Sequence, residues 1–505
     1  MGASAIRLVI AEAQADGPVR VLSEASRGVL LGRDTFSGGV IRPKTWDAAF
    51  AALEGFRELI DSHRASQIRA VATSAVREAR NGELFLDRIR RQLGIDFEII
   101  NEAEESRLVY LAVRQALGRH PVLEGAFTLL VEVGGGSTSL TLLERGQPSR
   151  SGVYALGPVR LRQQLDLRRH RHDIQVALLR RSIANVVEQI RVEIPLRRVT
   201  QMVAIGGDVR LAASEIQELA GDGNGIREVP RDAFLAFCDE VEKLDADGLV
   251  SRFRLPIVEA ETLMPALLVY RTLLSETAAR KVVVSDASLR AGLLLDLLDR
   301  GGRQRAEDFE RQVLASAEAV GQRFQFDREH GRHVARLATR LFDELRDEHG
   351  LTDRDRLLLQ TAGLLHDIGI YVSPRAHHKH SQYLLAASQI FGLSDEETAV
   401  VSNIARYHRR GMPRRSHLPY MELDRQDRLL VTKLGAILRV ANALDAEHLQ
   451  KVQDLRLVRA DRTWVLEVDG TGDITMEQLA AGARSDMFTE VFGHELIIRA
   501  AGVVA

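Results

Sequence analysis

A mostly apolar run, Phe127–Val131, stops at an acid and opens into three consecutive glycines in Glu132-Val133-Gly134-Gly135-Gly136-Ser137-Thr138. Leu140, Leu142 and the turn residues Arg145-Gly146 predict a return strand, so the glycines sit at the tip of a hairpin. Without a Cβ, Gly134, Gly135 and Gly136 let backbone N–H groups approach phosphate oxygens, and Ser137 and Thr138 add hydroxyl donors. No lysine follows the glycines, which excludes a Walker loop. Taken alone the segment is also readable as an ordinary turn. A second copy changes that balance. In Gly2-Ala3-Ser4-Ala5-Ile6-Arg7-Leu8-Val9-Ile10, Leu8 and Ile10 fall where Leu140 and Leu142 fall, and Ser4 becomes a further phosphate ligand.

The chain has 505 residues, of which 45% are apolar, enough for three or four domains with cores of their own. With 68 basic and 70 acidic residues there is no global field to attract nucleic acid or a membrane, so any anion site must be local. One cysteine, Cys238, excludes an internal disulfide and fits a reducing compartment, and no apolar run reaches membrane-spanning length. The cytoplasm is the expected location. Strand-like and helical segments alternate through residues 1–122 (strands Ile6–Ala11, Ala70–Thr73 and Phe97–Asn101; helix Trp46–Arg64). The pattern recurs through 123–300, where Met202–Ile205 runs into Gly206-Gly207-Asp208 and Lys281–Val284 precedes a helix near Ser288. Asp299–Arg305 reads as a linker. Residues 301–452 are helical, and 453–505 form a small α+β cap with a strand at Trp464–Val468.

Two facing phosphate hairpins characterise the duplicated actin-like (ASKHA, ribonuclease H-like) fold. The chain resembles the exopolyphosphatase and guanosine pentaphosphate phosphatase family in both hairpins, in Ala72–Ala79, Asn101–Leu108, Ala155–Leu161 and Ser285–Gly292. That resemblance implies a phosphoanhydride hydrolase that removes terminal phosphate from inorganic polyphosphate or guanosine pentaphosphate. It also implies Mg²⁺ in the N-terminal cleft and a homodimer. Glu105 becomes the general base that orients a water, Arg77 the phosphate clamp, Gly206 and Gly207 part of the phosphate seat, and Glu132 a metal ligand. The competing structural reading makes Glu104 and Glu105 first-turn helix acids and Arg77 a partner of Glu78 or Glu83.

Several positions depart from the family pattern. An Asp is expected two residues before Gly2, Asp is usual at Glu132, an acid at Ser139, and a small or hydroxylic residue at Asp208. The first departure leads to the expectation that a longer reading frame supplies an apolar strand ending in Asp. If the acids are instead eroded, the alternative is a phosphate or nucleotide sensor that regulates the helical block.

That block carries a second centre. His330, His380, His408 and Asp445 each extend an apolar helical stripe, and His366-Asp367 follows Leu364-Leu365, so all are expected to point inward. Burying these groups without partners costs several kcal/mol, and a shared divalent cation is the economical account. His333 lies at a stripe's edge, and His377 and His378 are placed in a loop. The set resembles the HD phosphohydrolase superfamily, which implies an all-α HD domain holding Mn, Fe, Zn or Mg, and a third reading with this site as the principal enzyme. The runs Arg168–His172, Arg406/Arg409/Arg410 and Arg414-Arg415 are candidates for a polyanion channel or for solvated faces.

Overall fold

The structure is a computed structural model that describes residues 1–12, 19–118, 120–216, 226–298, 303–409, 411–460, 463–470 and 473–500, with the backbone alone for 303–308. It divides into two compact units, Met1–Arg305 and Ala306–Ala505. No helix among the described residues is long and apolar enough to cross a membrane.

Unit 1 contains two α/β halves. In the first, β1 (Ala5–Glu12) pairs antiparallel with β2 (Arg20–Gly28), and β3 (Ala70–Ala72) pairs parallel with β4 (Phe97–Ile99). These are two separate two-stranded sheets. In the second half β5 (Phe127–Val133), β6 (Thr138–Glu144), β7 (Gln147–Tyr154), β8 (Gln201–Ile205), β9 (Ile226–Pro230) and β10 (Lys281–Ser285) form one sheet, ordered β7-β6-β5-β8-β10-β9. β5 is antiparallel to β6 and parallel to β8, and Leu129, Leu130 and Val131 are buried between the helical layers. The near-continuous apolar run follows from burial on both faces.

The first half has counterparts of β6, β7, β8 and β10 but, among the described residues, none of β5. Met1 bridges its two pairs: its ammonium donates to the Val71 carbonyl at 2.6 Å and its carbonyl accepts from Thr73 N at 3.1 Å. A cavity of about 1240 Å³ runs between the pairs, walled by Ile6, Leu8 and Ile10 on one side, Val71 on the other, and Phe56 from the helix Pro43–Ser62.

Unit 2 is built on the helices Arg328–Glu344, Asp353–Leu365, His377–Ala386, Asp395–Arg406 and Arg425–Ala443. A three-stranded sheet, β11 (Val452–Ala460), β12 (Thr463–Gly470) and β13 (Glu495–Ala500), completes it. Trp464, Leu466, Phe488 and Leu496 belong to the same buried cluster as Leu337, Leu365 and Leu438, so the cap expected at 453–505 is not a separate packing unit. The buried guanidinium of Arg439 ties them further, donating to the Tyr407 and Gly411 carbonyls and to Asp486. Of the expected linker, Asp299–Gly302 lies outside the described residues, as does Arg410.

Candidate functional site

In unit 1 the turn between β5 and β6 closes through Gly134 N donating to the Ser137 carbonyl at 2.9 Å. Its glycines are required by close packing. A Cβ on Gly135 would overlap the Ser4 side chain, one on Gly136 would meet Ser74 and Phe36, and one on Gly157 would strike the Gly135-Gly136 backbone. The two glycine turns therefore abut, as the internal repeat predicts. Arg160 locks the arrangement from behind, donating to the Gly136 carbonyl at 2.6 Å, gripping Glu78 with two nitrogens and stacking on Phe36 at 3.9 Å. At the tip of β8, Gly206 has φ 145°, and Tyr270 bridges the sheet by donating to the Ile205 carbonyl and accepting from Val133 N. Ser4, Gly134, Gly135, Gly136, Ser137, Gly206 and Gly207 all line the cavity.

Glu105 reaches the same cavity because Asn101 caps its helix, accepting from Glu104 N at 2.9 Å, and thereby fixes Glu102, Glu104 and Glu105 in the first turn. Behind that helix, a Cβ on Gly292 would overlap the Leu108 backbone, and Arg107 spans Glu104 and Asp296, so the helix Leu289–Leu298 holds it in place. One carboxylate oxygen of Glu105 is buried with no hydrogen-bond partner. Burial pushes this acid up to about 6, against the opposing pull of Arg77. Glu132 is pushed up to about 8, by burial first and by Glu105 second, and Asp208 up to about 7, again by burial. Three acids thus face one cavity without enough positive charge to hold them in their usual range.

Two residues expected at the phosphate seat are placed differently. Thr138 opens β6 with its side chain turned inward, fully buried, donating to the Leu156 carbonyl at 2.9 Å, so its hydroxyl does not face the cavity. Arg77 is absent from the cavity wall. Its guanidinium donates to the Ile100 carbonyl at 2.7 Å and to Glu102 at 3.3 Å, and lies 3.9 Å from Glu105. The arginines that do line the cavity are Arg7, Arg69, Arg210 and Arg290, of which Arg69 is engaged by Glu98, Glu104 and Asp296. Arg7 had a legible signal, its place on the strand that leaves the first glycine turn. Arg210, one turn into the helix that follows Gly206-Gly207, had a weaker one. Of the basic runs, Arg168 and Arg169 pair with Glu261 and Asp166 as a solvated face does.

In unit 2 the inward groups converge on Asp367. Its Oδ2 lies 3.8 Å from His330 Nε2 and 3.6 Å from His366 Nε2, and its Oδ1 lies 3.2 Å from His377 Nε2 and 3.3 Å from His408 Nε2. The fourth imidazole is His377 rather than His380. Ala376 has φ 58°, the helix begins at His377, and this shifts the inward face by one turn, leaving His380 half-exposed outside the cluster. Asp445 is also displaced from the expected ligand set, since its carboxylate accepts from His330 Nδ1 at 2.7 Å and from Gln450 N at 2.7 Å, behind the ring. His448, which the sequence reading did not single out, stacks on His330 with centroids 3.5 Å apart. Donor atoms of Asp367, His377 and His408 lie within 4.8 Å of one another, as do those of His330, Asp367 and His448. Burial disfavours charge on His366 and His408. Burial would raise Asp367, but the surrounding imidazoles hold it well below the usual carboxylate range.

The profile of the Ppx/GppA phosphatase family matches residues 9–301, and that of Ppx/GppA phosphatase, domain III, matches residues 313–479. The guanosine-5'-triphosphate,3'-diphosphate pyrophosphatase of Vibrio vulnificus is 24% identical over 416 residues, covering 79% of this chain and 77% of that protein. Its namesake from Vibrio parahaemolyticus is 24% identical over 413 residues, covering 78% and 76%. Among solved structures, the Aquifex aeolicus member of the Ppx/GppA protein family aligns with TM-score 0.50 at 22% identity, over 60% of this chain and 97% of that one. An exopolyphosphatase from Cytophaga hutchinsonii aligns with TM-score 0.53 at 22% identity, over 59% and 96%. These neighbours share the two-domain actin-like fold, with its mixed sheet and flanking helices. Since the first profile spans more than half of the chain and the second continues it through most of unit 2, the chain belongs to the Ppx/GppA phosphatase family.

Proposed function

We propose that unit 1 is a phosphoanhydride hydrolase that releases terminal phosphate from inorganic polyphosphate or guanosine pentaphosphate. The observation that carries this reading is the buried Glu105 oxygen that no hydrogen-bond donor reaches, on the same cavity as two abutting glycine turns. The names borne by the Vibrio and Cytophaga relatives agree with it. Glu105, with a pKa near 6, is ionised at neutral pH and remains basic enough to take a proton from water. The water oxygen then attacks the terminal phosphorus, the bridging P–O bond breaks, and the shortened chain leaves with its charge on oxygen. N–H groups of the glycine turns and the guanidinium groups of Arg7, Arg210 and Arg290 hold the phosphoryl oxygens, and Arg77 holds Glu105 in position.

The donor set fits a hard divalent ion, because Glu105 and Glu132 are oxygen donors whose burial the neighbouring guanidinium groups do not offset. Mg²⁺ held there would neutralise charge on the transferred phosphoryl group. A phosphate-release assay on polyphosphate, guanosine pentaphosphate and a phosphodiester tests the reading. Release from one of the first two, abolished in Glu105→Gln with substrate binding retained, is expected. Undiminished release by that variant removes Glu105 from the reaction, and no release from either substrate removes the reading itself.

A further inference from the structure

Asp208 lines the cleft of unit 1 and has no part in the reaction derived above. It follows Gly206-Gly207 in the first turn of the helix Gly207–Ile216, and its carboxylate accepts from its own backbone N–H. The N-terminus of a helix is a natural anion seat, and here the chain's own side chain takes it. Glu259, in the first turn of the helix Ile257–Ser275, lines the same cavity, and its charge bears on Asp208. The two helices pack on each other. Apart from Arg210, the wall they add around the two acids is largely apolar: Leu211 comes from the first helix, Val258 and Leu263 from the second, and Leu255 from just ahead of it. Thr262, the other polar residue of this wall, donates its hydroxyl to the Glu259 carbonyl at 3.0 Å.

The cleft therefore has two chemically different regions. At the turn between β5 and β6, backbone N–H groups with Arg7 and Arg290 offer positive charge, and at the tip of the neighbouring strand β8 the wall turns acidic. Arg210, which bears on both Glu132 and Asp208, is shared between them. Inorganic polyphosphate is charged at every unit, so a chain that runs from the glycine turns past Asp208 and Glu259 meets like charge there. A nucleoside carries no charge at that place. Its flat base suits the apolar side chains, and its N–H groups suit carboxylates, which accept hydrogen bonds and donate none. Guanine offers two adjacent donors, N1–H and the 2-amino group, which one carboxylate can take together, whereas adenine sets a lone pair beside its amino group. We propose that Asp208, supported by Glu259, is the specificity-determining residue of this cleft, taking the guanine edge of a guanosine polyphosphate and disfavouring inorganic polyphosphate. The assignment rests on the reading of unit 1 as a phosphoanhydride hydrolase. The small or hydroxylic residue usual in the family at this position would impose neither preference.

The test compares kcat/KM for phosphate release from guanosine pentaphosphate and from tripolyphosphate in the full chain with Mg²⁺, for the unmodified protein, Asp208→Ser and Glu259→Gln. Calorimetric titration with the 5'-diphosphates of guanosine, inosine and adenosine reads the base without turnover. Asp208→Ser is expected to lower kcat/KM about tenfold on guanosine pentaphosphate, the loss of a charge-assisted contact, and to raise it on tripolyphosphate. Glu259→Gln should move the ratio of the two in the same direction by a smaller factor. Guanosine diphosphate should bind tightest, inosine diphosphate, which lacks the 2-amino group, less tightly and adenosine diphosphate least, and Asp208→Ser should erase that order. A parallel fall on both substrates would mark Asp208 as a residue of the fold alone and overturn the proposal, as would three equal affinities in the unmodified protein. If neither substrate releases phosphate, the hydrolase reading fails, and the titrations still decide the assignment: a guanine preference lost in Asp208→Ser upholds it, and one retained overturns it.

Discussion

In the cleft of unit 1, Glu105 and Glu132 are pushed up to about 6 and about 8, whereas Asp367 in the imidazole cluster of unit 2 is held well below the usual carboxylate range. All three are removed from water, and burial acts on each in the same sense. The difference lies in their company. Asp367 is ringed by four imidazoles, while Glu105 and Glu132 face each other and, in the case of Glu105, a guanidinium 3.9 Å away whose stronger contacts are to Ile100 and Glu102. The cleft is thus poised for proton transfer near neutral pH. The imidazole cluster keeps its acid ionised, and burial disfavours charge on His366 and His408.

Substituting Glu105 would break this contrast most directly. Glu105→Gln is expected to lower kcat on polyphosphate by about 10²–10⁴-fold with KM nearly constant, since the amide keeps the shape but accepts no proton. The melting transition of unit 2 should be unaffected, and steady-state kinetics with calorimetry on one preparation checks both.

Gly157→Ala should come next in size. The added methyl cannot fit against Gly135 and Gly136 without separating the glycine turn from Pro158, at a cost of about 2 kcal/mol or more. Calorimetry should show the unit 1 transition lowered and that of unit 2 unmoved.

The arginines sharpen the comparison at about the tenfold level. Loss of a charge-assisted contact to phosphate in Arg7→Ala should raise KM about tenfold, while Arg77→Ala should lower kcat and move the pH profile of kcat upward, because Glu105 loses the charge that holds it down. If Arg77→Ala changed KM alone, Arg77 would be a clamp after all.

The smallest effect is on stability against pH in chelator-treated protein. Glu105, Glu132 and Asp208 have folded pKa values above their unfolded ones, so the folded state holds protons that the unfolded state has released. Unit 1 should therefore lose stability as pH rises from about 4.5 towards 8. In unit 2, His366 and His408 are lowered, so their contribution is present above the unfolded value near 6.5 and is lost on acidification, and the contribution of Asp367 is lost at still lower pH. His377 is raised by its bond to Asp367 and opposes them, one ring against two. Raising pH from 5 to 7 should shift the two melting transitions in opposite directions by a few degrees. Parallel shifts would mean that the two sites do not differ as described.

What the sequence disclosed follows from how local each signal is. The glycine turns, the first-turn acids of the helix Glu102–Leu117 and the pair His366-Asp367 are set by neighbours in the chain, and they stand where their patterns place them. Thr138 was misread because strand parity turns its hydroxyl inward, which depends on where β6 begins. His377 and His380 are one helical turn apart, and only the left-handed residue Ala376 decides which of them leads the inward face. Arg290 reaches the cleft from a helix that follows β10, and His448 reaches the imidazole cluster through a loop where its own φ is 58°. No periodicity in the neighbouring sequence encodes either approach. The division of unit 1's first sheet is of the same kind, since strand pairing joins residues far apart in the chain.

That division has a consequence for the exchange of backbone hydrogens with solvent. Every amide along the middle of β5 has a strand on both sides, whereas among the described residues β1 is paired with β2 alone, so in this chain alternate amides of β1 point into the cavity. Those amides should exchange with deuterium orders of magnitude faster than their neighbours on the same strand, giving β1 a two-residue periodicity in protection that β5 lacks. Thr73, whose N–H is taken by Met1, should exchange slowly despite lying just beyond the end of a three-residue strand.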